Sequence, residues 1–253
     1  MSLTLGLLGF VAVGIALGLL GGGGSILAVP ALVDLLGIPA RTAVPMALPV
    51  VGIAAAAGAV TRWRRGQLRL STVALFAACA MGASYLAARL GVGMADRPRL
   101  LLFGATMLLA AAAMWRRGTR VAPADAVAIT PRPAIQVIPA ALVVGTLTGI
   151  LGVGGGFLIV PALAGVLALP MPEATATSLA VIALNTASAG AGFLTRGVAI
   201  DLRLTAMVTA AALLGMAIGL RIAPRYSPSA LARAFAVLLV LLAVFTIGKE
   251  LVT

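Results

Sequence analysis

The sequence predicts an all-α polytopic membrane protein built from two homologous repeats. Three observations carry that reading: continuous apolar runs along the whole chain, a match of one half on the other, and two short segments that each follow a glycine cluster. Of the 253 residues, 62% are hydrophobic and only 9% charged, with a mean hydropathy of +1.18. An average soluble domain carries about 25% charged residues. The runs are unbroken Leu, Ala, Val, Ile and Gly. They lack the ~10-residue two-fold alternation of barrel strands, so helices are expected to span.

In chain order, apolar segments cover residues 3–20, 25–37, 42–61, 71–91, 98–115, 134–151, 157–169, 173–195, 203–222 and 230–248. The first lacks a basic leader and a cleavage site, so it is read as a retained helix. Segments 25–37 and 157–169 are short. Thirteen residues rise about 20 Å, against a hydrocarbon core of about 30 Å. They are read as re-entrant or half helices, leaving about eight transmembrane helices and parallel halves. Ten crossing segments with inverted halves are the alternative. Basic residues divide 11 to 7 between the two sides in either arrangement, so the positive-inside rule does not choose. Both arrangements place "RWRRGQLR" (62–69) and the loop at 116–120 in the cytoplasm. Residues 1–115 form the first membrane repeat, 116–133 a basic cytoplasmic linker, and 134–253 the second repeat.

The halves are related in sequence. Shifting the chain by 131 residues matches about 18 of the 49 positions from 18 to 66. The matches pair Gly21, Gly23 and Gly24 with Gly152, Gly154 and Gly155. They pair Pro30 with Pro161, Pro39 with Pro170, and Arg65-Gly66 with Arg196-Gly197. Shared hydrophobicity would align Leu and Ala by chance, but not glycines, prolines and an Arg-Gly pair in one register.

"GLLGGGGSILAVPAL" (18–32) and "GILGVGGGFLIVPAL" (149–163) put glycine where it costs a helix about 1 kcal/mol per residue. Single glycines at four-residue spacing, Gly14/Gly18 and Gly145/Gly149, read as helix-packing contacts. The clusters point further. A break followed by a helix start presents unpaired N–H groups and a positive dipole end, which suits an anion. In duplicated transporters, matching Gly- or Pro-interrupted segments mark the substrate site. Candidate substrate-binding residues are therefore Gly22, Gly23, Gly24, Ser25, Gly154, Gly155 and Gly156. From "EATATSLAVIALNTAS", Thr177, Ser178 and Asn185 join them as neutral donors. Bonding to other helices or to their own backbone is the competing role for these three. The first half has Ala43, Val44, Pro45, Met46 and Ala54 over the corresponding stretch, so the polar contribution is asymmetric. Arg89 and Arg221 are candidate charge partners, although arginines near segment ends also snorkel to the interface.

The net charge of +12 rests on arginines between apolar runs, where they orient loops and meet anionic lipid. No nucleic-acid role, nucleotide loop, catalytic constellation or metal cluster is read. No His or mid-segment carboxylate offers a proton relay. Cys79 forms no intrachain disulfide. An enzyme is not expected, nor a cofactor or metal.

The two motifs, continued as "LGIPARTAVPMAL" and "LPMPEATATSLAV" and each followed by Arg-Gly, resemble the duplicated motif of the TauE/SafE sulfite exporter family, also called the toluene sulfonate uptake permease family. The resemblance covers nearly the whole chain. It implies a multi-pass carrier of the bacterial inner membrane for sulfite, a sulfonate or a related organic anion. Pro45 and Met46 depart from the small or hydroxylated residues common there. The combined reading is an exporter or facilitator of a small anion. Its expected partners are that anion and the lipid bilayer, with a homodimer left open. An ion-coupled importer and a non-transporting membrane assembly subunit are the alternatives.

Overall fold

The computed structural model describes residues 3–90, 96–119, 134–151, 156–194 and 200–252. Among these there is no strand. The helices are α1 (Leu3–Leu20), α2 (Ser25–Pro30), α3 (Ala40–Arg64), α4 (Leu70–Leu90), α5 (Asp96–Thr119), α6 (Ala134–Leu151), α7 (Gly156–Pro161), α8 (Met171–Leu194), α9 (Leu202–Ile222) and α10 (Pro228–Val252). α2 and α7 continue as π-helical turns, Ala31–Leu35 and Ala162–Val166. Five stretches are long and apolar enough to cross a membrane: Leu3–Leu20, Arg41–Arg64, Leu70–Ala87, Leu202–Arg225 and Pro228–Thr246. α5 runs through Arg116 to Thr119, and the remainder of the expected linker, 120–133, is outside the described residues.

Element bounds correspond between the halves. Adding 131 turns 3–20 into 134–151, 25–30 into 156–161, and 31–35 into 162–166. Proline shapes both short helices alike. Pro30 and Pro161 lack an N–H, and their rings crowd the carbonyl four residues back. Beyond each, the helix widens; the Leu167 N–H reaches five residues back to the Ala162 carbonyl at 3.0 Å. Both then stop with the same left-handed turn. The Ile38 N–H donates to the Leu32 carbonyl at 3.1 Å, and that of Leu169 to Leu163 at 3.0 Å. Such a stop needs positive φ at the preceding residue. Gly37 supplies it at 69°, but its counterpart Ala168 is forced to 52°.

The long helices pack as α1 along α9, α4 along α6, α3 against α8 and α5 against α10. Glycine decides the first two pairings. A Cβ at Gly14 would strike the Ala212 carbonyl oxygen, and one at Gly18 would lie 2.7 Å from that of Met216. From the other side, a Cβ at Gly215 would strike the Val11 carbonyl oxygen, and one at Gly219 would lie 2.6 Å from that of Ile15. Contacts advance together along both chains, so α1 and α9 run parallel. Gly145 beside Ala80 and Gly149 beside Ser84 give α6 and α4 the same sense. By contrast, Gly52 of α3 meets Thr186 and Gly58 meets Leu179, so α3 and α8 run antiparallel. The short α2 descends beside α1: Gly24 lies against Val13 and Leu17, while Leu36 lies against Gly6.

The interior is apolar around Phe10, Phe76, Phe157 and Phe235, all essentially fully buried. Phe103 and Phe157 meet edge-on at 5.4 Å. Large apolar side chains also line the outside, among them Leu8, Leu109, Leu214 and Phe245. An apolar exterior of this kind matches lipid rather than water.

Gly215→Ala forces backbone against backbone, so it is expected to cost about 1–3 kcal/mol and lower the melting temperature in detergent. Gly82→Ala, with nothing within 4 Å of the new Cβ, is the control and should melt no lower than the parent. Ala168→Gly removes left-handed strain of about 1–2 kcal/mol and is expected to raise the melting temperature.

Candidate functional site

The site forms where the two helix breaks meet. Gly21 has φ 75°, a conformation open to glycine, and its backbone turns against Thr175. The next residue, Gly22, has its side-chain direction on the Gly156 carbonyl oxygen and within 3.1 Å of the Ser178 Oγ. A Cβ at Gly156 would in turn strike the Ser25 Oγ and lie 2.9 Å from Ile182. The first residues of α2 and α7 therefore meet backbone to backbone beside α8. No side chain larger than hydrogen fits at that contact.

The four glycines of the first break divide by function. Gly22 faces the other break. A Cβ at Gly23 would lie 2.8 Å from the ring of Phe235, and Gly24 packs on Leu17 and the Val13 carbonyl. Ser25 is engaged locally, its N–H at 3.3 Å and its Oγ at 2.7 Å from the Gly22 carbonyl oxygen. The N–H groups of Gly22, Gly23 and Gly24 make no hydrogen bond among the described residues. Gly154 and Gly155 lie outside the described residues, so only Gly156 represents the second cluster.

α8 supplies the side chains. Most buried threonines in this protein return their hydroxyl to a carbonyl three or four residues earlier. Thr106 does so to Phe103, Thr175 to Pro172, Thr186 to Ile182, Thr205 to Asp201 and Thr209 to Thr205. Thr177 and Ser178 do not. Both are 0% exposed, and neither hydroxyl has a partner among the described residues. The buried Asn185 Oδ1 has none either. Ser178, Ile182 and Asn185 fall at i, i+4 and i+7, one helical face, and Ile182 is the residue that touches Gly156. The first half answers with Met46, Ala47 and Ala54, all buried and apolar, so the polar lining comes from α8.

Sequence reasoning missed Arg62. Read as part of a cytoplasmic loop, it instead sits in the last turn of α3 and is 5% exposed. Its Nη2 donates to the Gly18 carbonyl at 2.9 Å and its Nη1 to the Gln67 Oε1 at 3.4 Å, while its Nε has no partner. The bond to Gly18 places a cation at the C-terminal end of α1, where the dipole favours it. One signal was available: "TRWRRG" starts without a helix stop, so α3 could run through Arg62. Close by, the Arg69 Nε pairs with the Glu173 Oε2 at 2.6 Å, tying the turn before α4 to the first turn of α8. Arg221 stands exposed in the last turn of α9. Arg89 lies in the last turn of α4, with a side chain outside the described set.

Described residues that form apolar spanning helices, with large apolar side chains on the outside, define a multi-pass membrane protein. The chain belongs to the TauE/SafE sulfite exporter family, whose profile matches residues 5–246. It is 30% identical over 246 residues to a probable membrane transporter protein of Xylella fastidiosa strain 9a5c, covering 94% of this chain and 92% of that one. It is 32% identical over 171 residues to a probable membrane transporter protein of Xylella fastidiosa strain Temecula1, covering 67% and 66%. No solved structure matches the chain.

Removing an unpartnered buried hydroxyl relieves a desolvation penalty of about 1–3 kcal/mol. Without any anion present, Thr177→Val and Ser178→Ala are therefore expected to melt at or above the parent temperature. A drop of several degrees would mean that these hydroxyls hold the fold.

Proposed function

We propose that this transporter exports a small oxyanion, sulfite or an organosulfonate, across the bacterial inner membrane, holding it between the two helix breaks. One observation carries the reading: the hydroxyls of Thr177 and Ser178 are wholly buried and unpartnered, that of Ser178 beside Gly22. Burying a polar group without a partner costs free energy, and an oxyanion accepting from both hydroxyls removes that cost. The free N–H groups at 22–24 add backbone donors with a positive dipole behind them. Asn185 contributes its NH₂ when its amide turns over, an exchange of two nearly equal orientations.

In this reading the halves are inverted repeats with ten crossing segments, in place of the eight spans and parallel halves expected from segment length alone. Four features support it. The element bounds repeat at 131 residues, α2 runs back along α1, α3 and α8 are antiparallel, and the end of α3 meets the end of α1 through Arg62 and Gly18. Parallel halves would set α3 and α8 side by side in the same sense. The short segments cross because the glycine cluster before each and the non-helical turn after each, at 37–39 and 167–170, extend their reach, at the protein centre where irregular backbone is tolerated.

Thr177 and Ser178 have no solvent access, so the anion loads only when the repeats move against each other. Export needs no coupling ion in this scheme. An inside-negative potential drives a monoanion outward with about 2.3 kcal/mol per 100 mV, a gradient of tens of fold.

The test is sulfite efflux from proteoliposomes under an imposed potassium diffusion potential. Inside-negative potential is expected to speed efflux. The double variant Thr177→Val, Ser178→Ala is expected to slow it at least tenfold while melting like the parent. Unchanged efflux in that variant would remove the proposed site.

A further inference from the structure

A cleft of about 320 Å³ opens between α3 and α9, lined by Ala57, Thr61, Arg65, Leu213, Met216, Leu220 and Arg221. Its floor is apolar and its rim is cationic. The hydroxyl of Thr61 is turned back to the Ala57 carbonyl at 2.8 Å, which leaves Arg65 and Arg221 as its charged groups. Neither has a carboxylate within ion-pair distance among the described residues. Two unpaired guanidiniums in one concave space repel each other, and an anion between them cancels that repulsion.

The cleft adjoins the proposed site through named contacts. Its back wall, Met216 and Leu220, is the stretch of α9 on which Gly18 packs. Gly18 is also the residue whose carbonyl accepts from the buried Arg62, one helical turn inward from Arg65. Arg62 keeps an unpartnered Nε at 5% exposure. Three and four residues past Gly18, the backbone meets Thr175 and Ser178. Cationic donors thus extend from open surface to buried interior along one line. Both rim arginines have counterparts in the other half by sequence: Arg65 aligns with Arg196, and Arg221 with Arg89 one residue out of register.

We propose that this cleft is a vestibule for a free oxyanion, in which Arg65 and Arg221 gather the anion and the Arg62 Nε receives it on its way to Ser178. The proposal rests on the transport reading above and adds an approach route to it. The rim lies beside the basic turn at 62–69, which the sequence puts in the cytoplasm. That is the side from which an exporter must load. A lipid phosphate offers the same chemistry as a free anion, so the test separates the two sources.

The double variant Arg65→Gln, Arg221→Gln is reconstituted in neutral phosphatidylcholine vesicles, and sulfite efflux is followed at low and high salt. Its KM is expected to rise about 3- to 10-fold at low salt with kcat unchanged, the scale of electrostatic steering. In 0.5 M salt the difference should fall below twofold, because screening shortens the reach of both charges. Arg62→Lys keeps a charge on Gly18 but loses the free Nε, so it should fold and still raise KM severalfold. A second readout is independent of transport: ethanesulfonate should protect Arg65 and Arg221 of the parent protein from phenylglyoxal labelling. Protection without any efflux would keep the vestibule and sink the transport reading. Efflux with no KM change and no protection would sink the vestibule. Protection given only by added phosphatidylglycerol would assign the cleft to lipid headgroups and overturn it as well.

Discussion

The contact between Gly22 and Gly156 is the constraint on which the rest of the arrangement depends. Two peptide backbones meet there with no side chain between them, the Gly22 side-chain direction pointing at the Gly156 carbonyl. In a bilayer interior, backbone groups outside a helix must find partners within the protein. Bringing two interrupted helices together beside α8 keeps that backbone inside the protein and away from lipid. The glycines are therefore needed twice, once to break each helix and once to let the breaks touch.

Around that contact, the two kinds of helix pairing divide the work. α1 with α9 and α4 with α6 approach so closely that carbonyl oxygens occupy the place of missing Cβ atoms. Such pairs resist sliding, because shape complementarity is what holds helices together in lipid. α3 and α8 meet through Gly52 on Thr186 and Gly58 on Leu179, and they carry the asymmetry. α8 carries the buried hydroxyls of Thr177 and Ser178, where the matching positions of α3 are the buried Met46 and Ala47.

Charge is distributed in keeping with this plan. Glu173 is matched by Arg69 at the end of α8, and Arg62 stabilises the end of α1 through Gly18.

Much was legible in the residues alone. Composition and pattern determined the helical membrane class, because only helices and closed barrels satisfy their backbone in lipid and these runs lack barrel alternation. The self-match determined the correspondence of elements, and the proline positions located the two short helices to within a few residues. Thr177, Ser178 and Asn185 were visible as polar groups in an apolar run. What the tertiary structure decided were directions and partners. That Gly22 faces the site while Gly23 packs on Phe235 and Gly24 on Leu17 depends on how the break turns, which no local pattern encodes. Segment length does not decide between eight spans and ten, because rise per residue takes no account of the turns that flank each short helix. The antiparallel course of α3 and α8 emerges only from contacts across more than a hundred residues. Arg62 looked like one more arginine of a basic loop, and only the approach of α1 to the end of α3 made it a buried partner of Gly18. Hydrophobicity is a property of each residue and can be read in sequence; which donor is left without an acceptor is a property of the assembled fold.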